Sequence, residues 1–190
     1  MHWLGHRLGL ARARTQTTEA ERRCLAQHAR GRRSLVEIGV MHGVGTRLLR
    51  EVMHPDGTLA AIDPFPPGRL GISFERLVAR REAAQVPRGR VIFDRRPSRD
   101  VAAGWTAPVD FLFIDGDHSR AGIEADWQGW RRFIPVGGLI ALHDSRAVPG
   151  HPVLDSVRYT EEVILPDPAF TVVDAVDSLT MLQRVAPDRP

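Results

Sequence analysis

The chain has 190 residues, enough for one domain with its own core, and its 43% hydrophobic and 26% charged residues suit a globular protein without an apolar run long enough to cross a membrane. Its formal net charge is only +3, and all 26 basic residues are arginine, so the isoelectric point near 10.2 reflects a side chain that does not titrate and makes no case for a nucleic-acid partner. The opening MHWLGHRLGLARARTQ breaks its apolar stretch with His6, Arg7 and Arg12, unlike a secretion signal, so a cytoplasmic chain is expected; Cys24, the only cysteine, allows no internal disulfide and is expected buried or partly buried.

In chain order, residues 1–17 read as an N-terminal arm with Trp3, Leu4, Leu8 and Leu10 as apolar contacts, and 18–190 as a single domain. Thr18-Glu19-Ala20-Glu21 matches a capping box that opens a helix to about Arg30, which Gly31 ends. A strand from Ser34 leads into a glycine-rich turn and a helix from about Gly45 to Met53, closed by His54-Pro55-Asp56-Gly57. Thr58 to Ile62 is a strand, Ile72 to Gln85 a helix, Arg90 to Phe93 a strand and Arg99 to Gly104 a helical turn. Val109 to Ile114 and Gly138 to His143 read as buried strands around a helix from Gly122 to Phe133 that carries Trp127 and Trp130 as packing residues. Alternation of this kind predicts a doubly wound, mostly parallel α/β sheet. After a helix near Pro152 to Val163, the closely spaced strands Phe170 to Val173 and Leu179 to Val185 predict an antiparallel hairpin at one edge, for seven strands in all.

The most informative stretch is Ser34 to Gly45, SLVEIGVMHGVG. Glycines at a strand's carboxyl end let the backbone turn sharply and approach a ligand, and the next helix presents bare N–H groups there. Dinucleotide folds use G-x-G-x-x-G, whereas Glu37, Gly39, Gly43 and Gly45 spell E-x-G-x-x-x-G-x-G, with a carboxylate in the turn that would repel phosphate. An uncharged or cationic ligand is favoured. Asp63 ends the next strand, 24 positions after Gly39, where a carboxylate can accept both hydroxyls of a ribose. The pair reads as an adenosine site without a phosphate requirement, with Val40 and Met41 inside the same turn.

Together these residues resemble the class I S-adenosylmethionine (SAM) methyltransferases. The resemblance implies that Glu37, Gly39, Gly43 and Gly45 line the methionine side of SAM, that Asp63 takes the ribose, and that Ser98, after the third strand, contacts the adenine. It covers roughly residues 20 to 186.

A second cluster follows the fourth and fifth strands: Asp115, Asp117 and His118 in VDFLFIDGDH, and His143-Asp144. Ligands of open α/β sheets bind beyond those strand ends, so these side chains are expected to converge beside the cofactor, with Asp115 touching it. Carboxylates suit Mg²⁺, Mn²⁺ or Ca²⁺, and imidazole admits softer metals. IDGDH followed by GGLIALHD resembles the macrocin and noviose sugar-type O-methyltransferases, more distantly catechol O-methyltransferase. That likeness implies Asp115 and Asp144 as metal ligands, Mg²⁺ foremost, and Asp117 as general base. His143 departs from the group's acidic pair, and is expected either to ligate or to act as the base; His118 is expected to orient the substrate or support a ligand.

The function these features favour is SAM-dependent methyl transfer to a hydroxyl of a small molecule, assisted by a divalent metal. The proline-cysteine setting of cytosine methyltransferases and the Asn/Asp-Pro-Pro-aromatic segment of amino-directed nucleic-acid enzymes are both missing, which argues against a nucleic-acid acceptor. The alternatives are a metal-dependent hydrolase built on the Asp/His cluster and a SAM-binding module without catalysis. No membrane association is expected, and a homodimer using the arm is.

Overall fold

The computed structural model describes residues 12–68 and 71–187. Most of the expected arm, with Trp3, Leu4, Leu8 and Leu10, lies outside the described residues. Thr18 caps α1 (Glu19–Ala29) as the box predicts: its hydroxyl accepts from the Glu21 N–H, and the Glu21 carboxylate accepts from the Thr18 N–H. Then come β1 (Ser34–Ile38), α2 (Val44–Val52), β2 (Thr58–Ile62), α3 (Phe74–Ala84), β3 (Arg90–Asp94), α4 (Ser98–Ala103) and β4 (Phe111–Ile114). The chain continues through α5 (Arg120–Trp130) with a 3-10 turn (Arg131–Phe133), β5 (Leu139–Leu142), α6 (Asp155–Tyr159) widening into a π turn (Thr160–Ile164), β6 (Phe170–Val176) and β7 (Leu179–Arg184).

The seven strands lie in the order β3-β2-β1-β4-β5-β7-β6, the first five parallel and β7 antiparallel to both neighbours. The expected hairpin is present with one refinement: β7 inserts beside β5 and leaves β6 at the edge. α5 begins two residues before the expected Gly122, because the Ser119 side chain caps it by accepting from the Gly122 N–H.

Every residue of β4 and β5 is buried, as strands covered on both faces require. Their alternate side chains go to opposite layers. Val36, Ile38, Leu112, Ile114, Ile140 and Leu142 pack with Ile123, Trp127 and Trp130. Leu35, Phe111, Phe113, Leu139 and Ala141 pack with Cys24, Leu25 and Leu49. Trp127 meets Phe170 at 4.9 Å and Trp130 the half-buried Trp105 at 5.2 Å, both pairs tilted, so Trp127 and Trp130 are the packing residues expected of them. Cys24 is buried, and burial together with Asp174 pushes its thiol up to about 12. Among the described residues no helix is long and apolar enough to cross a membrane.

Candidate active site

Strand order reverses between β1 and β4: from β1 the sheet runs one way through β2 and β3, and from β4 the other way. Such a switch point opens a crevice beyond the carboxyl ends of the two central strands. A cleft of about 720 Å³ lies there.

One wall is the glycine turn. Gly39 has a φ of +85°, and a side-chain carbon added to it would sit 1.9 Å from the Asp115 carbonyl oxygen, so only glycine lets β1 pass β4 this closely. Met41 is left-handed as well, with φ 49°. Asp63 supports the bend: one carboxylate oxygen accepts from the Val40 and Met41 N–H groups at 3.0 and 3.1 Å, and the other from the Phe65 N–H at 2.7 Å. Three of its roughly four acceptor positions are taken, and about one, on the oxygen that meets Phe65, is left for a ligand in the cleft that Asp63 lines.

Glu37 lies beneath this turn, fully buried, accepting from the Thr46 hydroxyl. Any side chain at Gly45 would collide with its carboxyl oxygen at 2.4 Å. Burial, with Asp115 and Asp63 nearby, pushes Glu37 up to about 8 against the hydrogen bond from Thr46. At neutral pH Glu37 is therefore mostly protonated and contributes little charge of its own. The expectation that it repels phosphate is weakened, while its bias toward a cation survives, since a positive ligand would favour its ionised form.

The other wall follows β4. Asp115, Gly116, Asp117 and His118 all line the cleft. Asp117 is exposed, one oxygen accepting from the Ser119 N–H at 2.9 Å. Its loop rests on the first turn of α5, where a side chain on Gly122 would meet Asp117 atoms at 2.4 to 2.6 Å. His118 Nδ1 lies 3.5 Å from Asp144 Oδ2, and ligand atoms of Asp115, His118 and Asp144 fall within 4.8 Å of one another. Ser156, from α6, ties the two loops: its hydroxyl donates to the Asp144 carbonyl and its N–H to the His118 carbonyl, at 2.7 and 3.1 Å. Two carboxylates and an imidazole at this separation form a donor set that fits a divalent cation.

His143 takes a different place. Its side chain is 3% exposed and, like the part-exposed Asp144, is not among the residues lining the cleft. Nδ1 lies 3.0 Å from Asp115 and 3.5 Å from Asp144, close ion-pair contacts without a well-aligned hydrogen bond, and Nε2 lies 3.3 Å from Glu21 on α1. Burial opposes a charge on the ring, yet the three carboxylates prevail and push it up to about 12. An imidazolium offers no lone pair to a metal or a substrate proton. The imidazole that faces the cleft beside the carboxylates is that of His118.

Several site residues carried no role in the sequence reading. Glu21 completes its capping box and also accepts from the Ser178 N–H and hydroxyl at 2.9 and 2.7 Å. Its own burial is outweighed by His143, Thr18 and Ser178, which hold it down at about 2. No local pattern announces a pairing 122 positions away. Arg14, Thr15, Gln16 and Thr17 also line the cleft, and the Arg14 N–H donates to His42 Nδ1 at 3.0 Å. Asp126 on α5 lines it too, pushed up to about 6 by burial and by Asp117. A readable signal existed for Asp126, which shares the buried helix stripe of Ile123, Trp127 and Trp130. Ser98, also on the wall, accepts from the Trp130 indole N–H at 2.7 Å.

A family model described as a methyltransferase domain matches residues 36–145, from β1 to just past Asp144. The chain belongs to this methyltransferase family. Its fold is shared with TomG from Streptomyces achromogenes, an O-methyltransferase involved in tomaymycin synthesis and solved in complex with SAM, at 18% identity and a TM-score of 0.67 over 97% of this chain and 87% of that one. An O-methyltransferase from Bacillus cereus in complex with SAH is similar at 17% identity and a TM-score of 0.65, over 95% and 87%. An rRNA methylase from Streptococcus thermophilus shares the fold at 12% identity and a TM-score of 0.62, over 90% and 100%. The seven-stranded sheet of this methyltransferase is thus the Rossmann-like fold that those enzymes share.

Proposed function

We propose that this methyltransferase moves the methyl group of SAM to a hydroxyl oxygen of a small molecule, with a divalent ion held by Asp115, His118 and Asp144. The observation that carries the reading is that Gly39, Asp63, Asp115, Asp117 and His118 border one cleft of about 720 Å³, of a size that encloses a small ligand rather than a strand of RNA. SAM, when bound, supplies an activated methyl, and the ion, when bound, lowers the pKa of the acceptor hydroxyl. The rest falls to the chain.

In this reading the turn at Gly39, Val40, Met41, Gly43 and Gly45, over Glu37, receives the methionine part, Asp63 the ribose and Ser98 the adenine. Asp117 is the base. Of the two exposed carboxylates on the cleft, Glu75 and Asp117, it is the one beside Asp115 and His118, and with one oxygen fixed by the Ser119 N–H the other is free to take the acceptor's proton. Asp115 and Asp144 need the positive charge of His143 beneath them, because two carboxylates this close repel. His143 therefore positions the pair and leaves ligation to His118. The hydrolase alternative would turn over in SAM-free buffer, and the binding-module alternative would bind SAM without turnover. The expected homodimer belongs to the same proposal, since the arm that reaches the cleft at Arg14 to Thr17 is suited to closing it; light scattering tests it.

Isothermal titration of SAM into the folded protein should give one site, and absence of heat would end the reading. Asp117→Asn should lower kcat by roughly 10²- to 10⁴-fold while SAM affinity stays within a few-fold. Equal losses in both would remove Asp117 as base. A mass-shift screen of hydroxylated small molecules, with rRNA as the competing acceptor, identifies the substrate class.

A further inference from the structure

Away from the cleft, one face of α1 meets the edge strand β6. Cys24 and His28, four apart, project from the same side of the helix, and Asp174 comes to meet them just after an irregularity in β6 that shifts the register between Val172 and Asp174. The ligand atoms of the three residues lie within 4.8 Å of one another. We propose that Cys24, His28 and Asp174 form a second metal site, for Zn²⁺ or a similar thiophilic divalent ion, that staples α1 to the edge of the sheet.

Geometry supports it. Zinc sits ~2.3 Å from sulfur and ~2.0 Å from nitrogen or oxygen, so tetrahedral coordination separates sulfur from oxygen by about 3.5 Å and nitrogen from oxygen by about 3.3 Å. Cys24 Sγ lies 3.5 Å and His28 Nε2 3.0 Å from Asp174 Oδ2. The carboxylate oxygen thus faces the thiol at coordination spacing and the imidazole slightly inside it, so an ion requires only a small opening between His28 and Asp174. Cys24 is buried while His28 and Asp174 are half-exposed, which leaves an entry path and room for a water as fourth ligand. One thiol, one imidazole and one carboxylate make a borderline-soft donor set, which selects zinc over magnesium or calcium; the Asp115, His118 and Asp144 set holds no sulfur. The site has a structural consequence, because α1 also carries Glu21, paired with His143, and continues from the Arg14 to Thr17 segment on the cleft wall.

Cys24 is the only cysteine, so a thiolate-to-cobalt band reports this site alone, and Asp115→Asn, which disables the cleft set, gives its stoichiometry. Titrating Co²⁺ into the reduced full-length protein should produce the near-ultraviolet thiolate-to-cobalt charge-transfer band, saturating at one equivalent in Asp115→Asn and erased by Zn²⁺. The band should vanish in Cys24→Ser, weaken at least about tenfold in apparent affinity in Asp174→Asn and His28→Gln, and persist in Asp115→Asn. Zn²⁺ should raise the Tm of Asp115→Asn, in which the cleft set is disabled, but not that of the double variant Asp115→Asn with Cys24→Ser. A folded wild-type protein that shows no band with excess Co²⁺ would overturn the site, leaving a His28–Asp174 ion pair with a thiol tucked against it. A band unchanged in both Asp174→Asn and His28→Gln would overturn it equally, since the thiol would then be binding cobalt without its partners.

Discussion

The wall of the cleft at the ends of β1 and β2 is braced by backbone N–H groups gathered on one carboxylate, and the wall at the end of β4, backed by the end of β5, by a chain of ion pairs. In the first, Asp63 accepts three N–H groups from Val40, Met41 and Phe65, and the left-handed Gly39 brings β1 against Asp115. In the second, Asp115 and Asp144 share an imidazolium, His143, whose other nitrogen meets Glu21 from α1, while Glu21 is held in turn by Ser178 of the β6–β7 turn. The difference teaches how each wall can fail. The first depends on steric fit at single positions. The second depends on a buried chain of alternating charges contributed by three distant parts of the sequence.

The sharpest way to break the comparison is at Glu21. Glu21→Gln removes one of the three carboxylates around His143 and weakens the hydrogen bonds from Thr18 and Ser178, so about 2–3 kcal/mol should be lost in a urea unfolding series. The pH dependence has a definite sign. Glu21 is held at about 2, below its ordinary 4.5, so its contribution is complete above about 4.5 and is lost as pH falls through about 2. Stability of the wild type should therefore decline over that window more steeply than stability of Glu21→Gln. Parallel curves would show that the charge chain is not what holds this wall.

Gly39→Ala tests the other wall. A left-handed alanine with its Cβ against the Asp115 carbonyl must move one strand end, and at least about 2 kcal/mol of destabilisation is expected. If stability were unchanged and only SAM affinity fell, the close approach would serve the ligand and not the fold. A smaller effect sharpens the picture at the cleft's far side. Ser98→Ala leaves the buried Trp130 N–H without its acceptor, for about 1 kcal/mol, and SAM affinity measured on the same variant separates that packing role from the adenine contact proposed for Ser98.

The two walls also differ in how far they could be read in advance. The elements from Thr18 to Arg184 fall close to where periodicity, caps and turn residues put them, because α1 satisfies its backbone locally behind a visible cap, and β1 and β4, paired on both edges and covered on both faces, show it as apolar runs. The Gly39 turn and Asp63 were legible for the same reason, each standing at the end of an apolar run. His143 and Glu21 were not. One read as a ligand or base from its place in a motif, the other only as a cap, and nothing within a few residues of either indicates that they meet.

From its sequence alone, this protein's strand and helix order, parallel sheet, glycine turn and the strand ends where acidic side chains and histidines gather were determined, since hydrophobic period and backbone stereochemistry act over a few residues. Tertiary structure alone decided which of two histidines faces the cleft, how protonated Glu37 and His143 are, and that a cap residue and a hairpin turn support the acidic cluster. Burial and Coulomb interaction depend on distance through space, and folding brings together groups that the chain keeps more than a hundred residues apart.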